Sequence, residues 1–358
     1  MLSHFISQHF ENLIPLEMIA IQSLGALLTG FLLCILMMPF FIKTASLWQH
    51  AGQPIRQDGP ATHFVKKGTP TMGGLVVLTS LILSVLLWAD LSSEYIQILI
   101  TSTVCYAALG FIDDFLKVKH KNIKGVTGHQ KLFFQFLTAT VLICWSMSLV
   151  SPEYATSVPL PFWKTFFINL GIFFVAFEAI VIVGTSNAVN LTDGLDGLVS
   201  IPLVICFFVF SVFACIIGNV GFAEEFKLIY LSGASEICVF SFAVIGSLIG
   251  FLVFNIHPAK IFMGDVGSLS LGGTLGTLAV LLKSELILAI VGGLFVVEAL
   301  SDMLQVASYK LRKKRIFLMA PIHRHFEKKE WSEIKVVVCF WFVSLFLAAV
   351  ALLTLGIK

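Results

Sequence analysis

Long apolar segments recur throughout this chain and limit what it can fold into. Runs of about twenty apolar residues are typical of transmembrane helices, because a helix of that length crosses the hydrocarbon core of a bilayer. The 358 residues are 58% hydrophobic and only 12% charged, which excludes an ordinary soluble domain. The sequence lacks the alternating strands of about ten residues that a membrane barrel requires. We therefore predict an all-α integral membrane protein that forms a single polytopic domain over residues 1–358.

Ten transmembrane helices are predicted from the apolar pattern. Their approximate bounds are 18–42, 72–89, 95–112, 132–150, 166–184, 198–217, 235–254, 267–282, 286–308 and 335–356. Nineteen of the 23 lysines and arginines lie within or at the border of five connecting segments, which are 43–71, 113–131, 185–197, 255–266 and 309–334. The positive-inside rule places these segments in the cytosol and both termini outside. The seven cysteines lie in apolar spans without metal-ligand spacing, so we expect buried thiols and no disulfides.

Residues able to do chemistry concentrate in the five predicted cytosolic segments. Asp113 and Asp114 follow the third apolar span, and five lysines come after them, the last being Lys131. Two adjacent carboxylates at a helix end can hold a divalent cation or share a proton. The lysines suit an anionic substrate. The alternative is a solvated loop whose basic residues contact lipid phosphate.

A second polar segment, residues 187–197, has four polar residues spaced three apart: Asn187, Asn190, Asp193 and Asp196. If the segment is helical, these side chains lie on one face. Amides can contact a base or a sugar, and carboxylates can accept from a hydroxyl or bind a metal. The alternative is a polar helix cap, since Asn and Asp favour helix ends. Four residues in register exceed what a cap needs, so the pattern favours a functional role.

A third segment, Phe262-Met-Gly-Asp-Val-Gly-Ser268, places Asp265 between two glycines immediately before an apolar helix. Such a turn lets backbone N–H groups at a helix N-terminus face phosphate. Asp265 can hold Mg²⁺ against that phosphate, because Mg²⁺ commonly uses one or two carboxylates together with substrate oxygens. Phe262 can stack on a base, although packing at the membrane interface is the commoner role of a lone Phe.

The segment Pro321-Ile-His-Arg-His-Phe326 follows a basic run. For His323 and His325 we favour contact with phosphate over Zn²⁺, because further metal ligands are missing nearby in the sequence. Within the apolar spans, Glu178, Glu298 and Asp302 fit either a proton or ion path or internal hydrogen bonding between helices.

Taken together, these segments resemble the polyprenyl-phosphate N-acetylhexosamine-1-phosphate transferases, and more narrowly their muramoyl branch. The resemblance runs from about residue 52 to residue 335. It rests on Arg56-Gln-Asp-Gly-Pro60, Gly68-Thr-Pro-Thr-Met-Gly-Gly74, Asp113-Asp-Phe115, Asn190-Leu-Thr-Asp-Gly-Leu-Asp-Gly197, Phe262-Met-Gly-Asp-Val-Gly-Ser268 and Pro321-Ile-His-Arg-His-Phe326.

The resemblance implies an Mg²⁺-dependent phosphoglycosyl transferase of the bacterial inner membrane, with ten helices, a cytosolic active site and a homodimeric assembly. The implied substrates are UDP-N-acetylmuramoyl-pentapeptide and the membrane lipid undecaprenyl phosphate, and the implied products are lipid I, for peptidoglycan, and UMP. Nucleic acid is not an expected partner. The nearer alternative is the N-acetylglucosamine branch. The distant one is a transporter, which would place its polar site near the bilayer midplane.

The resemblance also implies roles for individual residues. Asp265 matches the Mg²⁺ ligand, with Asp113 and Asp114 beside it, and Lys131 matches the lysine that follows the acidic pair. Positions tied to the nucleotide-sugar site are matched by Lys66 (or its neighbour Lys67), Thr71, Asn190, Asp193, Asp196, Asn255 and Phe262.

One position departs from the family pattern. Where the family usually has three consecutive histidines, this chain has His323-Arg324-His325. Arginine remains a cationic partner for phosphate but cannot act as a base near neutral pH. The departure therefore removes proton transfer from the middle position and leaves phosphate binding intact.

Overall fold

The structure, a computed structural model, describes residues 15–49, 68–120 and 125–356. Helices dominate it, together with one β-hairpin of strands β1 (Ser157–Leu160) and β2 (Trp163–Asn169) and a short 3-10 turn, Gly171–Phe173. In chain order the helices are α1 (Pro15–Gln49), α2 (Gly74–Trp88), α3 (Glu94–Lys119), α4 (Gly128–Met147), α5 (Phe174–Thr192), α6 (Ser200–Ile217), α7 (Val220–Glu225), α8 (Glu236–Asn255), α9 (Gly264–Leu281), α10 (Glu285–Val291), α11 (Gly293–Arg312), α12 (Ile322–Lys328) and α13 (Glu333–Gly356).

Each of the ten predicted spans lies largely on helix, but fewer helices meet the length and apolarity of a full membrane crossing. Six of the described helices do so: α1, α3, α5, α6, α8 and α13. A seventh crossing is obtained if α10 and α11, which meet at an angle of 82°, count as one broken span. Helix α2 has 15 residues, or roughly 22 Å of helix, and α9 is diluted by glycine, serine and threonine. The chain is therefore a mostly helical membrane protein, and the number ten stays a prediction.

Three predicted boundaries, in two of the spans, were wrong. Residues 166–169, placed at the start of the fifth span, belong to strand β2, and helix begins only at Phe174. That helix then runs to Thr192, so Asn187 and Asn190 are helical instead of lying in a loop. Likewise, α3 continues to Lys119, which places Asp113 and Asp114 more than a turn inside the helix. Both helices extend beyond their apolar stretch because tertiary partners satisfy the polar side chains.

Helix α9 forms the centre of the fold. Every residue of α9 except Asp265 is buried, and the helix packs against α3 and α5. Glycines make this close approach feasible, as is usual between helices in membranes. A Cβ at Gly110 of α3 would overlap the backbone carbonyl of Asp265, and one at Gly272 would lie 2.8 Å from the Cα of Ser186 on α5. This packing brings the polar ends of α3, α5 and α9 together.

Connecting loops contact one another at two places in the fold. At one place, Phe262 N–H donates to Pro70, and Ala259 N–H donates to Asp196. At the other place, the ammonium of Lys283 donates to the carbonyl of Ala155 at the hairpin. The sidedness of these loops and the location of the termini remain predictions.

All seven cysteines are free thiols, as expected. The expectation that they are all buried was wrong, because Cys105, Cys144 and Cys339 lie exposed on the outer surface of their helices. An apolar side chain there faces lipid in a membrane protein, so exposure is not costly.

Candidate active site

Three carboxylates from two helices meet at the polar end of α9. Asp113 and Asp114 come from α3, and Asp265 comes from the first turn of α9. One oxygen of each lies within 4.8 Å of the others. Asp113 and Asp114 are both buried, whereas the side chain of Asp265 is 15% exposed. Asp265 is thus the member of the cluster that solvent or a ligand can reach.

Asp114 faces the N-terminus of α9. Its Oδ2 accepts a hydrogen bond of 3.0 Å from the backbone N–H of Val266. A carboxylate is favourable there, since the first N–H groups of a helix lack partners within the helix and carry partial positive charge. Gly264 allows the close approach: it has φ +78°, and a Cβ on it would lie 2.5 Å from Asp114 Oδ2.

Two lysines partly neutralise the carboxylates. Lys117, one helical turn after Asp113, forms an ion pair with Asp113 and lies 3.0 Å from Asp265 Oδ2. Lys131, at the start of α4, lies 2.9 Å from the same Asp265 oxygen and 3.9 Å from Asp113 Oδ2. Three carboxylates and two ammonium groups leave one net negative charge when all five are ionised.

The cluster fits a divalent cation. Asp114 Oδ1 is buried and has no hydrogen-bond partner among the described residues. The Thr71 hydroxyl is also buried and has no hydrogen-bond partner among the described residues. It lies near Gly264, since a Cβ on that glycine would be 3.0 Å from the hydroxyl oxygen. Buried polar atoms without partners are uncommon and costly, and a site for a bound ion is one accepted reason for them. Carboxylate and hydroxyl oxygens are ligands of the type that Mg²⁺ prefers.

The polar ladder of residues 187–196 does not lie on one face. Asn190 points into the cluster, and its Nδ2 donates to Asp265 Oδ1 and to the Ser268 hydroxyl, each at 2.8 Å. Asn187 instead donates to Gln135 of α4, at 2.9 Å. The condition for a single helical face, a continuous helix, is met by Asn187 and Asn190 but not by the two aspartates, because α5 ends at Thr192.

Asp193 and Asp196 lie in the turn that follows α5 and face different partners. Burial, followed by the negative charges of Asp265, Asp114 and Asp196, raises the pKa of Asp193 to about 8. Asp193 therefore belongs electrostatically to the carboxylate cluster. Asp196 is turned toward the loop after α8, where its Oδ2 accepts from the N–H of Ala259 at 3.0 Å and lies 3.1 Å from His257 Nδ1.

Asn255, Phe262 and Thr71 frame the neighbouring loop. The Asn255 side chain accepts from the N–H of Gly197 and donates to the carbonyl of Ile261, each at 2.9 Å. Phe262, which is partly exposed, follows directly and is held by the Pro70 and Gly73 backbones. The Thr71 backbone is held by both side-chain ends of Gln49. Lys66 lies outside the described residues.

The three residues of the 323–325 block have different environments. His323 is fully buried, and its Nδ1 lies 3.0 Å from Glu298 Oε2 of α11. Arg324 and His325 are partly exposed. His325 Nδ1 accepts from the N–H of Leu318 at 3.1 Å, so that nitrogen carries no proton. Desolvation and the nearby Lys329 lower the pKa of His325, which agrees with a neutral ring that donates through Nε2.

Several residues of the site were missed by the sequence analysis. Lys117 carried a signal, since its spacing of four from Asp113 on a helix predicts an ion pair. Glu298 was identified as an acid within an apolar span, but its contact with His323 was not predicted. Gln49, His257 and Glu333 carried no local signal, because their partners lie far away in the sequence. Glu333, for example, accepts from the N–H of Asp196 at 2.8 Å across 137 positions.

Comparison with known proteins gives consistent matches along nearly the whole chain. The model of glycosyl transferase family 4 matches residues 95–283, a range that includes Asp113, Asn190 and Asp265. The phospho-N-acetylmuramoyl-pentapeptide-transferase signature 1 matches residues 66–78. The chain is 47% identical over 353 residues to a protein of Bartonella quintana (strain Toulouse) that is named phospho-N-acetylmuramoyl-pentapeptide-transferase. That alignment covers 99% of this chain and 98% of the relative.

Proposed function

This chain belongs to glycosyl transferase family 4 and, within it, to the phospho-N-acetylmuramoyl-pentapeptide-transferases, and from that premise we propose its reaction. It transfers phospho-N-acetylmuramoyl-pentapeptide from the UDP-linked donor to undecaprenyl phosphate, giving lipid I and UMP for peptidoglycan synthesis. One observation carries the proposal: Asp113, Asp114 and Asp265 converge with Lys117 and Lys131 at the polar end of the buried helix α9.

The cluster suits transfer between two anionic reactants. In phosphoryl transfer, positioning and charge neutralisation supply most of the catalysis. Lys117 and Lys131 lie at the rim of the site, where they can screen the two phosphates as these approach. Asp265, with Asp113 and Asp114 beside it, would hold Mg²⁺. When bound, Mg²⁺ neutralises pyrophosphate charge and stabilises the leaving UMP.

Of two chemical schemes, we favour direct attack by the lipid phosphate. In the other scheme, an aspartate attacks first and forms a covalent phosphosugar. Asp113 is buried and held in an ion pair with Lys117, so its carboxylate is already engaged before a substrate arrives. The lipid phosphate needs little help from a base, because a phosphomonoester has a second pKa of about 6 and is mostly dianionic at neutral pH. A trapped phosphosugar–aspartate adduct that turns over with undecaprenyl phosphate would contradict direct attack.

The nucleotide-sugar is proposed to lie beside the metal, over the turn after α5 and the loop after α8. Asn190 supplies an amide that already contacts Asp265, and Asp193 lies at the cluster. Phe262 offers a partly exposed ring for a base, and Arg324 and His325 offer donors for phosphate. The lipid approaches from the bilayer, where the helices present apolar side chains. We also propose a homodimer in the bacterial inner membrane.

A side-by-side assay of two donors tests the proposal. Purified protein is supplied with undecaprenyl phosphate and either UDP-N-acetylmuramoyl-pentapeptide or UDP-N-acetylglucosamine, with Mg²⁺ or with a chelator, and UMP release is measured. We expect release only from the muramoyl donor and only with Mg²⁺. Release from UDP-N-acetylglucosamine would indicate the other branch of the family. Absence of UMP release from both donors would contradict the proposal and favour the alternative of a transporter.

A further inference from the structure

Glu298 and His323 form a buried pair below the site. Glu298 lies on α11 and His323 on α12, and both side chains are fully buried. His323 Nδ1 lies 3.0 Å from Glu298 Oε2. An ionised carboxylate can only accept, so Nδ1 carries the proton in that state and the ring orientation is fixed. A carboxylate that orients a histidine through Nδ1 is a common arrangement in enzymes and metal sites.

A buried apolar cluster includes residues that neighbour the pair along the chain. Leu195, Leu198 and Leu294 are buried in one cluster with residues of α13, and Ile322 packs against that cluster. Hydrogen bonds are stronger in such low-dielectric surroundings, and breaking one there is costlier. The pair is therefore a firm connection between α11 and α12.

The other ring nitrogen faces the turn after α5. His323 Nε2 is buried and has no hydrogen-bond partner among the described residues. A Cβ on Gly194 would overlap Nε2 and would lie 2.8 Å from Cε1. The imidazole thus packs edge-on against the Cα of Gly194, next to Asp193. Gly194 N–H donates to Thr192 at 2.8 Å, which makes this turn tight.

This contact bears on the part of the site with the most like charge. The negative charges of Asp265, Asp114 and Asp196 all act on Asp193, which lies in this turn. Whenever Asp193 is ionised, repulsion from these carboxylates favours displacement of the turn away from the cluster. A rigid ring packed behind Gly194 opposes that displacement.

We propose that Glu298 is a positioning residue that acts through His323 to fix the turn at Asp193 and Gly194, and thereby the binding of the nucleotide-sugar. The inference rests on the proposed function. It assigns Glu298 an effect on one substrate only, because the lipid phosphate approaches from the bilayer and not across this turn.

The first test uses Glu298→Leu and Glu298→Gln, with KM and kcat measured separately for each substrate. We expect Glu298→Leu to raise KM for the UDP-sugar about tenfold, which corresponds to about 1.4 kcal/mol. We expect KM for undecaprenyl phosphate to stay unchanged. Glu298→Gln keeps an oxygen that accepts from Nδ1–H, so it should restore most of the affinity. The matched control is Glu178→Leu, which replaces another fully buried acid, on α5, and should leave KM for the UDP-sugar unchanged.

A second test asks whether Glu298 acts through His323. If so, adding Glu298→Leu to His323→Ala causes no further rise in KM. Gly194→Ala should raise KM in the wild-type background, where the methyl group meets the ring, and have no effect in His323→Ala, where the space is open. The Gly194→Ala comparison still applies if Glu298→Leu does not fold.

The outcomes separate clearly. The inference is overturned if Glu298→Leu keeps the wild-type KM for the UDP-sugar. It is also overturned if KM rises equally for both substrates without rescue by Glu298→Gln, or if the increases in KM are additive in the double variants. Failure of the proposed function would look different, because the wild-type protein itself would then release no UMP.

Discussion

Lys131 holds its Nζ 2.9 Å from Oδ2 of Asp265, although 134 positions separate the two residues in the chain. The Nζ of Lys117, on α3, lies 3.0 Å from the same oxygen. Asp265 is therefore a carboxylate held by two cations from two helices. This arrangement fixes its orientation before any substrate arrives.

Replacing Lys131 tests the value of that preorganised charge. We expect Lys131→Met to lower kcat by roughly 100-fold, the scale observed when one preorganised donor is removed from an active site. Lys131→Arg should retain part of the activity because it keeps the charge. The matched control is Lys119→Met, since Lys119 is an exposed cation at the end of α3. Equal effects at positions 119 and 131 would mean that general basicity, and not this contact, matters.

Asp265→Asn should abolish turnover while the protein still folds. The substitution keeps the shape of the side chain but removes the charge that holds a cation and pairs with Lys117 and Lys131. UMP release and thermal unfolding in detergent are the measurements. Asp90→Asn, an exposed acid at the other end of the molecule, should retain activity. Substantial turnover in Asp265→Asn would falsify the metal assignment.

Gly264→Ala probes the close approach between α3 and α9. Gly264 has φ +78°, a conformation that residues with a Cβ rarely adopt, and the new methyl group would lie 2.5 Å from Asp114 Oδ2. We expect kcat to fall at least tenfold and a higher Mg²⁺ concentration to be needed for half-maximal activity. Gly128→Ala, where a Cβ meets nothing within 4 Å, is the control. An unchanged Mg²⁺ requirement would separate Gly264 from the cation site.

Asp193 gives a prediction about pH. Its folded-state pKa of about 8 lies above the ordinary value of roughly 4. Between these two values the folded protein binds a proton that the unfolded chain has lost, so the stability contribution falls as pH rises and is constant above about 8. In metal-free protein, the Tm of Asp193→Asn relative to wild type should therefore increase from about pH 5 to pH 8. A difference that stays constant over this range would contradict the raised pKa.

The sequence predicted the helices and the site motifs well where the signal is local. Apolar length marks a membrane helix because each segment satisfies its own backbone, whatever its neighbours are. The Asp113–Lys117 spacing is local in the same sense. The predicted start of α5 was wrong because Trp163–Asn169, which is rich in aromatic and β-branched residues, forms a strand. The three-residue spacing of the polar residues in 187–196 implies a single face only while the helix continues. Because α5 ends at Thr192, Asp193 and Asp196 lie outside the helix.

By itself, the sequence determined that this protein is a mostly helical membrane protein, and its motifs indicated the family and the acidic residues of the site. Only the tertiary structure decided which of them meet: Asn190 with Asp265, Asn187 with Gln135, and Glu298 with His323. The physical reason is that these contacts depend on how closely helices pack. Glycines such as Gly110 set that distance, and their partners lie in distant parts of the chain.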